Sequence, residues 1–443
     1  MAMMSGIGPY RPRLVDSKIQ DLLGIYGAVC IEGPKHCGKT TAASIHARSR
    51  CSLEDERDNR ANLDLARIDV NYALEGERPH LIDEWQTVPQ IWDAVRRRVD
   101  ETTEKGQFIL CGSSVVDDRT KDGTETIHHS GFGRICRVHM RTMSLFESGD
   151  SDGSVSLSAL FDGGPLRTPM REVTLDRLVN LTMRGGWPGN LGLSDERAIL
   201  AVSRYPDTIC QHDVRRVDPT KNGVRVRMLM RSFARNESTL ASNTTIARDL
   251  KEYDDETMAP ATVSDYAGIL DRLFLVENQP AFDPNIRSSL RVGKMAKRHL
   301  TDPALSIAAL GMTRRELSSD LNTFGLMFEG LCERDLQIYA SAHGGRLFHY
   351  RDGRGNEIDA VVEMPDGRWG AFEIKLGMGQ VDEAAQNLIA LREILLDDLA
   401  NHVPGKPKAR PPEILAVICG MAPAAYQRED GVYVIPITML RDR

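Results

Sequence analysis

The segment GPKHCGKT, which runs from Gly33 to Thr40, constrains the fold of this chain more than any other feature. It matches the pattern GxxxxGK[ST], directly after a short apolar run and before a stretch with helical periodicity. In this context small residues let backbone N–H groups surround phosphates, Lys39 reaches the β and γ phosphates, and Thr40 supplies a magnesium ligand. The predicted nucleotide contacts are Gly33, Pro34, Lys35, His36, Cys37, Gly38, Lys39, Thr40 and Thr41.

An acidic pair follows a second apolar run, in PHLIDEWQ. Asp83 is predicted to hold Mg²⁺, and Glu84, one residue later, to polarise the water that attacks ATP. A third run, GQFILCGSS, ends at Ser113, whose hydroxyl is predicted to bind the γ phosphate or the water. The competing interpretation of the acidic pair is a helix N-terminus stabilised by the helix dipole.

Arg134, in GFGRICRV, is predicted to stabilise transition-state charge, either on the nucleotide of its own chain or on that of a neighbouring subunit. A surface salt bridge is an equal alternative for this residue. Cys37 is either a small filler in the loop or a thiol made reactive by the helix N-terminus.

Short apolar runs at 28–32, 79–82 and 107–111 alternate with amphipathic stretches, which predicts an α/β fold with a parallel sheet. Residues 1–150 are predicted to form the nucleotide-binding domain. A Ser-, Gly- and Asp-rich stretch predicts a surface loop or linker at 151–172. Residues 173–285 are predicted to be a helical module, and residues 286–443 a further α/β domain.

Composition limits the class of protein. Hydrophobic residues make up 41% and charged residues 27%, which is typical of folded globular chains. The net charge of −7 argues against a basic surface throughout, so any nucleic-acid site must be local. No apolar run approaches the roughly 20 residues that span a bilayer. We therefore expect a cytoplasmic protein without a membrane partner. The eight cysteines show no metal-ligand spacing, and we expect them to be reduced thiols.

Several further motifs accompany the nucleotide site. They are GGWP at 185–188, VGKMAKRHLTDPAL from Val292, MFEGLCERDL from Met327, HYRDGRGNEIDAVVE from His349, and AFEIKLG from Ala371. With these motifs the chain resembles a prokaryotic family that joins an AAA-type P-loop ATPase domain to a C-terminal domain of unassigned function. The resemblance implies an AAA-type core, a central winged-helix module and a restriction-endonuclease-like C-terminal domain.

Under this resemblance Asp359, Glu373 and Lys375 lie on adjacent strands of a PD-(D/E)xK nuclease core. Strand periodicity places Glu373 and Lys375 on one face. Asp359, Glu373 and the Ile374 carbonyl would then hold Mg²⁺ or Mn²⁺, with Lys375 orienting water or stabilising charge. Glu329 is predicted as an additional acidic ligand. The alternative is an inactive nuclease fold in which the Glu and Lys only solvate a sheet face.

The sequence features that bear on nucleic-acid contact by the middle of the chain oppose one another. The basic run SLRVGKMAKRH could hold phosphates electrostatically, although such a run is usually a solvated face. Asp265 and Asp271 argue against sequence-specific readout by their helix. The acidic insert EYDDET at 252–257 lengthens the preceding turn and also argues against it. In the C-terminal part, Gln386 on the helix after Lys375 is either a contact to the phosphate backbone or an ordinary exposed glutamine.

The leading functional hypothesis is a Mg²⁺-dependent ATPase coupled to a nuclease-like domain that acts on DNA or RNA. The alternative is an ATP-dependent switch or binding protein with an inactive nuclease fold. A third interpretation is a nucleotide clamp without turnover, against which Glu84 argues. A homo-oligomer is a further possible partner state, because an arginine acting in trans requires a neighbouring copy.

Overall fold

The structure is a computed structural model. It describes residues 10–55, 60–116, 127–163, 166–251, 258–285, 288, 291, 294–353, 355–401 and 410–442. The chain divides into two compact units. The first comprises Met1–Thr142, Trp187–Gly189 and Ile269–Leu275, and the second comprises Met143–Gly186, Asn190–Gly268 and Val276–Arg443.

The first unit is built on a five-stranded parallel sheet. Its strands are β1 (Ala28–Glu32), β2 (Ser49–Ser52), β3 (His80–Asp83), β4 (Phe108–Gly112) and β5 (Ile135–His139). The order across the sheet is β2-β3-β4-β1-β5. All residues of β1, β3 and β4 are buried, as expected for central strands covered on both faces. The carboxyl ends of these three neighbouring strands therefore meet at one edge.

Four helices accompany this sheet, Val15–Ile25, Lys39–His46, Ala61–Ile68 and Gln90–Thr102. Gln90–Thr102 buries Ile91, Trp92 and Val95 in one hydrophobic cluster of the unit. Helix Lys39–His46 buries Ala42 and Ala43 in a second cluster with Ile31. The α/β class and the parallel sheet of the N-terminal part agree with the sequence prediction.

The middle of the chain is mainly helical. Its longer helices are Leu175–Arg184, Asp195–Ser203, Gly223–Arg235, Asn243–Lys251 and Pro260–Arg272, with short helical turns at Leu145–Ser148, Leu157–Leu160, Tyr205–Thr208 and Val214–Val217. A two-stranded antiparallel sheet, β7 (Val276–Gln279) with β8 (Lys297–Leu300), follows. The insert at 252–257 lies outside the described residues.

The C-terminal part contains a six-stranded mixed sheet. Helix Leu321–Ala342 precedes β9 (Arg346–Arg351), β10 (Glu357–Glu363) and β11 (Trp369–Lys375), and helix Val381–Ala400 comes next. The remaining strands are β12 (Ile414–Cys419), β13 (Tyr426–Gln427) and β14 (Tyr433–Pro436). The order across the sheet is β13-β14-β12-β11-β10-β9. Helix Val381–Ala400 packs Ala385 and Leu388 in one core cluster with Ala371 and Val417. Two shorter helices, Pro303–Leu310 and Arg314–Ser319, come before this region.

The stretch predicted as an exposed loop is instead packed over residues 151–161. Its strand β6 (Val155–Ser156) pairs in parallel with β15 (Leu440–Arg441), and Leu157 is buried. Ser151 Oγ donates a hydrogen bond to the Leu440 carbonyl at 2.6 Å. The polar composition misled the prediction because these side chains satisfy backbone groups inside the fold.

Across the described residues, every helix is too short or too polar to span a lipid bilayer.

Candidate functional site

The phosphate-binding loop connects β1 directly to helix Lys39–His46. Gly38 adopts a left-handed conformation with φ of 102°, which only glycine tolerates readily. The buried Lys39 ammonium donates to the carbonyls of Gly33 at 2.9 Å and Pro34 at 2.8 Å. Its charge therefore lies at the mouth of the loop, where phosphate oxygens could replace these carbonyls as acceptors.

Two residues that the sequence analysis missed hold the loop in place. The buried Arg13 guanidinium donates to the carbonyls of Cys37 at 2.9 Å and Arg141 at 2.9 Å. The Trp187 indole donates to the Lys35 carbonyl at 3.3 Å. Trp187 lies in GGWP, which the sequence analysis used only for the family resemblance. No spacing rule indicates these contacts, because both donors are distant in sequence from the loop.

The predicted magnesium residues are adjacent. Thr40 Oγ1 donates to Asp83 Oδ1 at 3.0 Å, and Asp83 is buried at the end of β3. A hydroxyl beside a carboxylate at this edge is the oxygen-ligand chemistry that Mg²⁺ prefers. Arg50, on neighbouring β2, donates to Asp83 Oδ2 at 2.6 Å, a partner that the sequence analysis did not predict.

Glu84 follows Asp83 in a left-handed conformation with φ of 58°, an uncommon geometry for glutamate. Its Oε2 accepts hydrogen bonds from Ser113 Oγ at 3.0 Å and Gln86 Nε2 at 2.5 Å. Burial raises the pKa of Glu84, and nearby Asp83 adds to this, while Lys39 opposes it. The structure thus brings Glu84 and Ser113 together, and adds Gln86, which the sequence analysis did not single out.

Arg134 does not lie at this edge. It precedes β5, whose first residue Ile135 pairs with Ala28, the first residue of β1. Because the strands are parallel, Arg134 is at the amino-end edge, a full strand length from the phosphate-binding loop. Its Nε pairs with Asp100 at 2.7 Å, and its side chain is 49% exposed. The predicted action on the nucleotide of its own chain is therefore wrong, and the surface salt bridge is present.

A second group of charged residues lies on β10 and β11, which pair in antiparallel register. Lys375 Nζ lies 3.1 Å from Asp359 Oδ2 and 2.5 Å from Glu373 Oε2. The Ile374 backbone N–H donates to Asp359 Oδ2 at 2.7 Å. Both carboxylates therefore converge on one cationic atom, as the predicted strand placement requires.

The electrostatics of this group are unusual. Burial raises the pKa of Glu373 to about 7, with a further contribution from Asp359, while Lys375 opposes the rise. Burial lowers the pKa of Lys375, but Asp359 and Glu373 outweigh it, and the net shift is upward. Perturbed groups of this kind cluster at functional sites.

The fit of a metal ion to this group is partial. Among the residues that the structure describes, no three His, Cys, Asp or Glu side chains are arranged to hold a metal. Two carboxylates that converge on a cation nevertheless supply the hard oxygen donors that Mg²⁺ and Mn²⁺ prefer. Glu329, predicted as a third acid, instead accepts a hydrogen bond from Lys297 at 2.6 Å.

The basic run does not form an open phosphate-binding face. Lys297 and His299 are buried, with His299 Nδ1 3.0 Å from Glu237 Oε1. Arg291 makes a two-pronged contact with Glu363, at 3.1 Å for each nitrogen. Neither a phosphate contact nor a solvated face, the two interpretations of this run, describes these three residues, because their charges are paired inside the fold. Gln386 is exposed on helix Val381–Ala400.

Comparison with protein families divides the chain into three matched segments. Residues 26–148 match the family described as AAA domain, and this range contains the loop and the acidic pair. The chain contains an AAA-type P-loop ATPase domain. Residues 175–316 and 324–440 each match a domain of unknown function, DUF8612 and DUF4143 respectively.

Two relatives align with about three quarters of the chain. An uncharacterized protein of Mycobacterium bovis is 24% identical over 352 residues, which cover 78% of this chain and 70% of the relative. An uncharacterized protein of Mycobacterium tuberculosis shows the same identity and coverage. Among solved structures, the Walker-type ATPase of Pyrococcus abyssi aligns with a TM-score of 0.40 and 12% identity, over 68% of this chain and 96% of that one.

Proposed function

We propose that the AAA-type domain hydrolyses ATP with Mg²⁺ and that Glu84 is the general base. The observation that supports this most strongly is the position of the Glu84 carboxylate. It is held by Ser113 and Gln86 directly after Asp83, at the edge where the phosphate-binding loop begins. A carboxylate is needed there for hydrolysis, whereas tight binding alone does not require it.

Each residue of the site has a role in this proposal. Lys39 and the loop N–H groups bind the phosphates, and Thr40 and Asp83 hold Mg²⁺, which neutralises phosphate charge when bound. Glu84 accepts the proton of the attacking water, and Ser113 fixes the orientation of its carboxylate. The upward pKa shift of Glu84 makes it a stronger base than an ordinary glutamate.

For the C-terminal part, we propose a metal-dependent, nuclease-like activity on DNA or RNA that nucleotide turnover controls. The supporting observation is the convergence of Asp359 and Glu373 on Lys375. Asp359 and Glu373 would hold one Mg²⁺ or Mn²⁺, which would activate water, and Lys375 would stabilise charge on the phosphate. Asp359 lies on β10, and Glu373 and Lys375 lie on the neighbouring strand β11, between helix Leu321–Ala342 and helix Val381–Ala400.

This second activity is tested by incubating the purified chain with linear, nicked and single-stranded DNA, and with RNA, in Mg²⁺ or Mn²⁺, with and without ATP. We expect cleavage that falls about 100-fold in Lys375→Ala, because a positioned charge is worth roughly that factor in rate. Lys39→Ala should lose the effect of ATP on cleavage. Lys251→Ala, which removes an exposed lysine, is the matched control and should cut normally.

The same experiment distinguishes the alternative function. If the wild-type chain releases phosphate from ATP but cuts no substrate under any condition, the nuclease proposal is wrong. The chain would then be an ATP-dependent switch whose C-terminal domain holds nucleic acid or a partner protein without cutting it.

Arg134 suggests that the ATPase works as a homo-oligomer. We propose that it acts in trans, on the nucleotide of a neighbouring copy, because it is half exposed and distant from the loop of its own chain. An arginine of this kind is worth about 10³-fold or more in turnover. We expect Arg134→Ala and Lys39→Ala each to be inactive and their mixture to regain ATP hydrolysis. Arg97→Ala, an exposed control, should remain active alone, and a mixture without recovery would exclude action in trans.

A further inference from the structure

Lys297 is a buried cation beside the Asp359–Glu373 site. It lies on β8, and its side chain is 2% exposed. Its Nζ is 2.6 Å from Glu329 Oε1 and 3.0 Å from Glu333 Oε1. Lys297 also donates to the Asp359 main-chain carbonyl at 3.1 Å. The ammonium therefore links two acids of helix Leu321–Ala342 to the strand that carries Asp359.

The donors of Lys297 match these acceptors in number. A lysine ammonium has three N–H donors and no acceptor, and three oxygens lie within hydrogen-bond distance. A buried charge is stable only when paired and hydrogen-bonded, which these contacts achieve. Removing Lys297 would take its cation from Glu329 and leave Glu333 with His299, whose Nε2 lies 3.5 Å from Glu333 Oε2, so the ammonium is a fixed part of the fold.

This arrangement conflicts with a metal ion at Glu329. An ion bound to Glu329 Oε1 would lie within a few ångströms of the Lys297 ammonium, and like charges at such distances repel strongly where water is excluded. Lys375 differs because its side chain is 24% exposed and can move toward solvent. Of these two acidic sites, it is therefore the Asp359–Glu373 pair whose neighbouring lysine a metal ion can displace.

We propose that Lys297 takes the place of a second metal ion, so that the site binds one divalent cation through Asp359 and Glu373 and not through Glu329. The inference rests on the proposed metal binding of this site. Lys297 is a positioning residue, since its ammonium donates a hydrogen bond to the main-chain carbonyl of Asp359 and so fixes the backbone at this residue. Gln279 assists it, because its Nε2 also donates to the Asp359 carbonyl, at 3.2 Å.

Counting bound Mn²⁺ per chain, from the signal of free Mn²⁺ in electron paramagnetic resonance, tests the proposal without nucleotide and without substrate. We expect Asp359→Asn to bind one ion fewer per chain than the wild type. Lys297→Met should bind a second ion through the freed Glu329 and Glu333, and adding Glu329→Gln to it should remove that ion. Lys297→Arg keeps the charge and should bind one.

Folding is monitored by circular dichroism, because Lys297→Met removes the ammonium that both Glu329 and Glu333 contact. A test that avoids this risk is Glu329→Gln in the otherwise wild-type chain, which keeps an oxygen acceptor for Lys297. We expect its Mn²⁺ affinity to stay within about twofold of wild type, whereas loss of a real carboxylate ligand should weaken it about tenfold or more.

The outcomes separate the two levels of argument. The role given to Lys297 would be overturned if Asp359→Asn removed two ions from the wild-type chain, or if Glu329→Gln weakened the site. If the wild-type chain and Asp359→Asn bound the same number of ions, the proposed metal site itself would be wrong.

Discussion

Glu84→Gln is expected to bind ATP normally and to release phosphate about 10² to 10⁴ times more slowly than wild type, the usual contribution of a general base. Glutamine has nearly the same shape as glutamate and can still accept hydrogen bonds from Ser113 and Gln86. It cannot accept a proton from water. The measurement is steady-state phosphate release together with equilibrium binding of a fluorescent ATP analogue.

The controls isolate the proton transfer. Glu77→Gln removes an exposed carboxylate six residues before Asp83 and should leave both readouts unchanged. Lys39→Ala should lose nucleotide binding as well as turnover, because the buried ammonium is the phosphate contact. Phosphate release that survives in Glu84→Gln would rule out Glu84 as the base. A wild-type chain that binds ATP but never releases phosphate would instead support the nucleotide clamp.

The loop was predictable from sequence because it is a local structure. Its preceding strand was predicted at 28–32 and is observed at the same residues. The two other predicted strands are each displaced by a single residue, β3 to His80–Asp83 and β4 to Phe108–Gly112. A buried parallel strand leaves an apolar run of the right length, so its presence is readable while its ends are not.

Partners that depend on strand order were not predictable. Arg50 reaches Asp83 only because β2 lies beside β3, and no sequence spacing encodes that neighbourhood. The edge on which Arg134 lies likewise follows from the direction of β5, not from its motif. Neither the order of the strands nor the direction of β5 can be obtained from a single sequence without the assembled sheet.

The burial of charged side chains was also not predictable from the sequence. The run around Lys297 has the composition of a solvated basic face, yet Lys297 and His299 are inside the fold. The acids that pair with them lie far along the chain, with Glu237 62 residues before His299 and Glu333 36 residues after Lys297. Buried charges of this kind become intelligible only when both partners are seen, because unpaired burial would be too costly.

Arg334→Met is expected to destabilise the second unit by about 3 to 5 kcal/mol, the usual cost of leaving a buried ion pair half-occupied. The Arg334 guanidinium is 4% exposed and contacts Asp302 Oδ2 at 2.8 Å and Asp335 Oδ1 at 2.7 Å. Methionine fills similar space without charge. The readout is the midpoint of urea unfolding, and Arg346→Met, at an exposed position on β9, is the matched control.

The deficit of Arg334→Met should shrink as the pH is lowered. Burial already raises the pKa of Asp335 in the wild-type chain, against the opposing effect of Arg334, and removing the guanidinium raises it further. A carboxyl with a folded-state pKa above its unfolded value takes up a proton on folding, so acidification favours the folded state. Asp335 also accepts the Leu145 backbone N–H at 2.9 Å, and the protonated acid retains an acceptor oxygen for it. A deficit that is constant or grows between pH 8 and about pH 5 would show that lost packing, and not an unpaired carboxylate, causes the destabilisation.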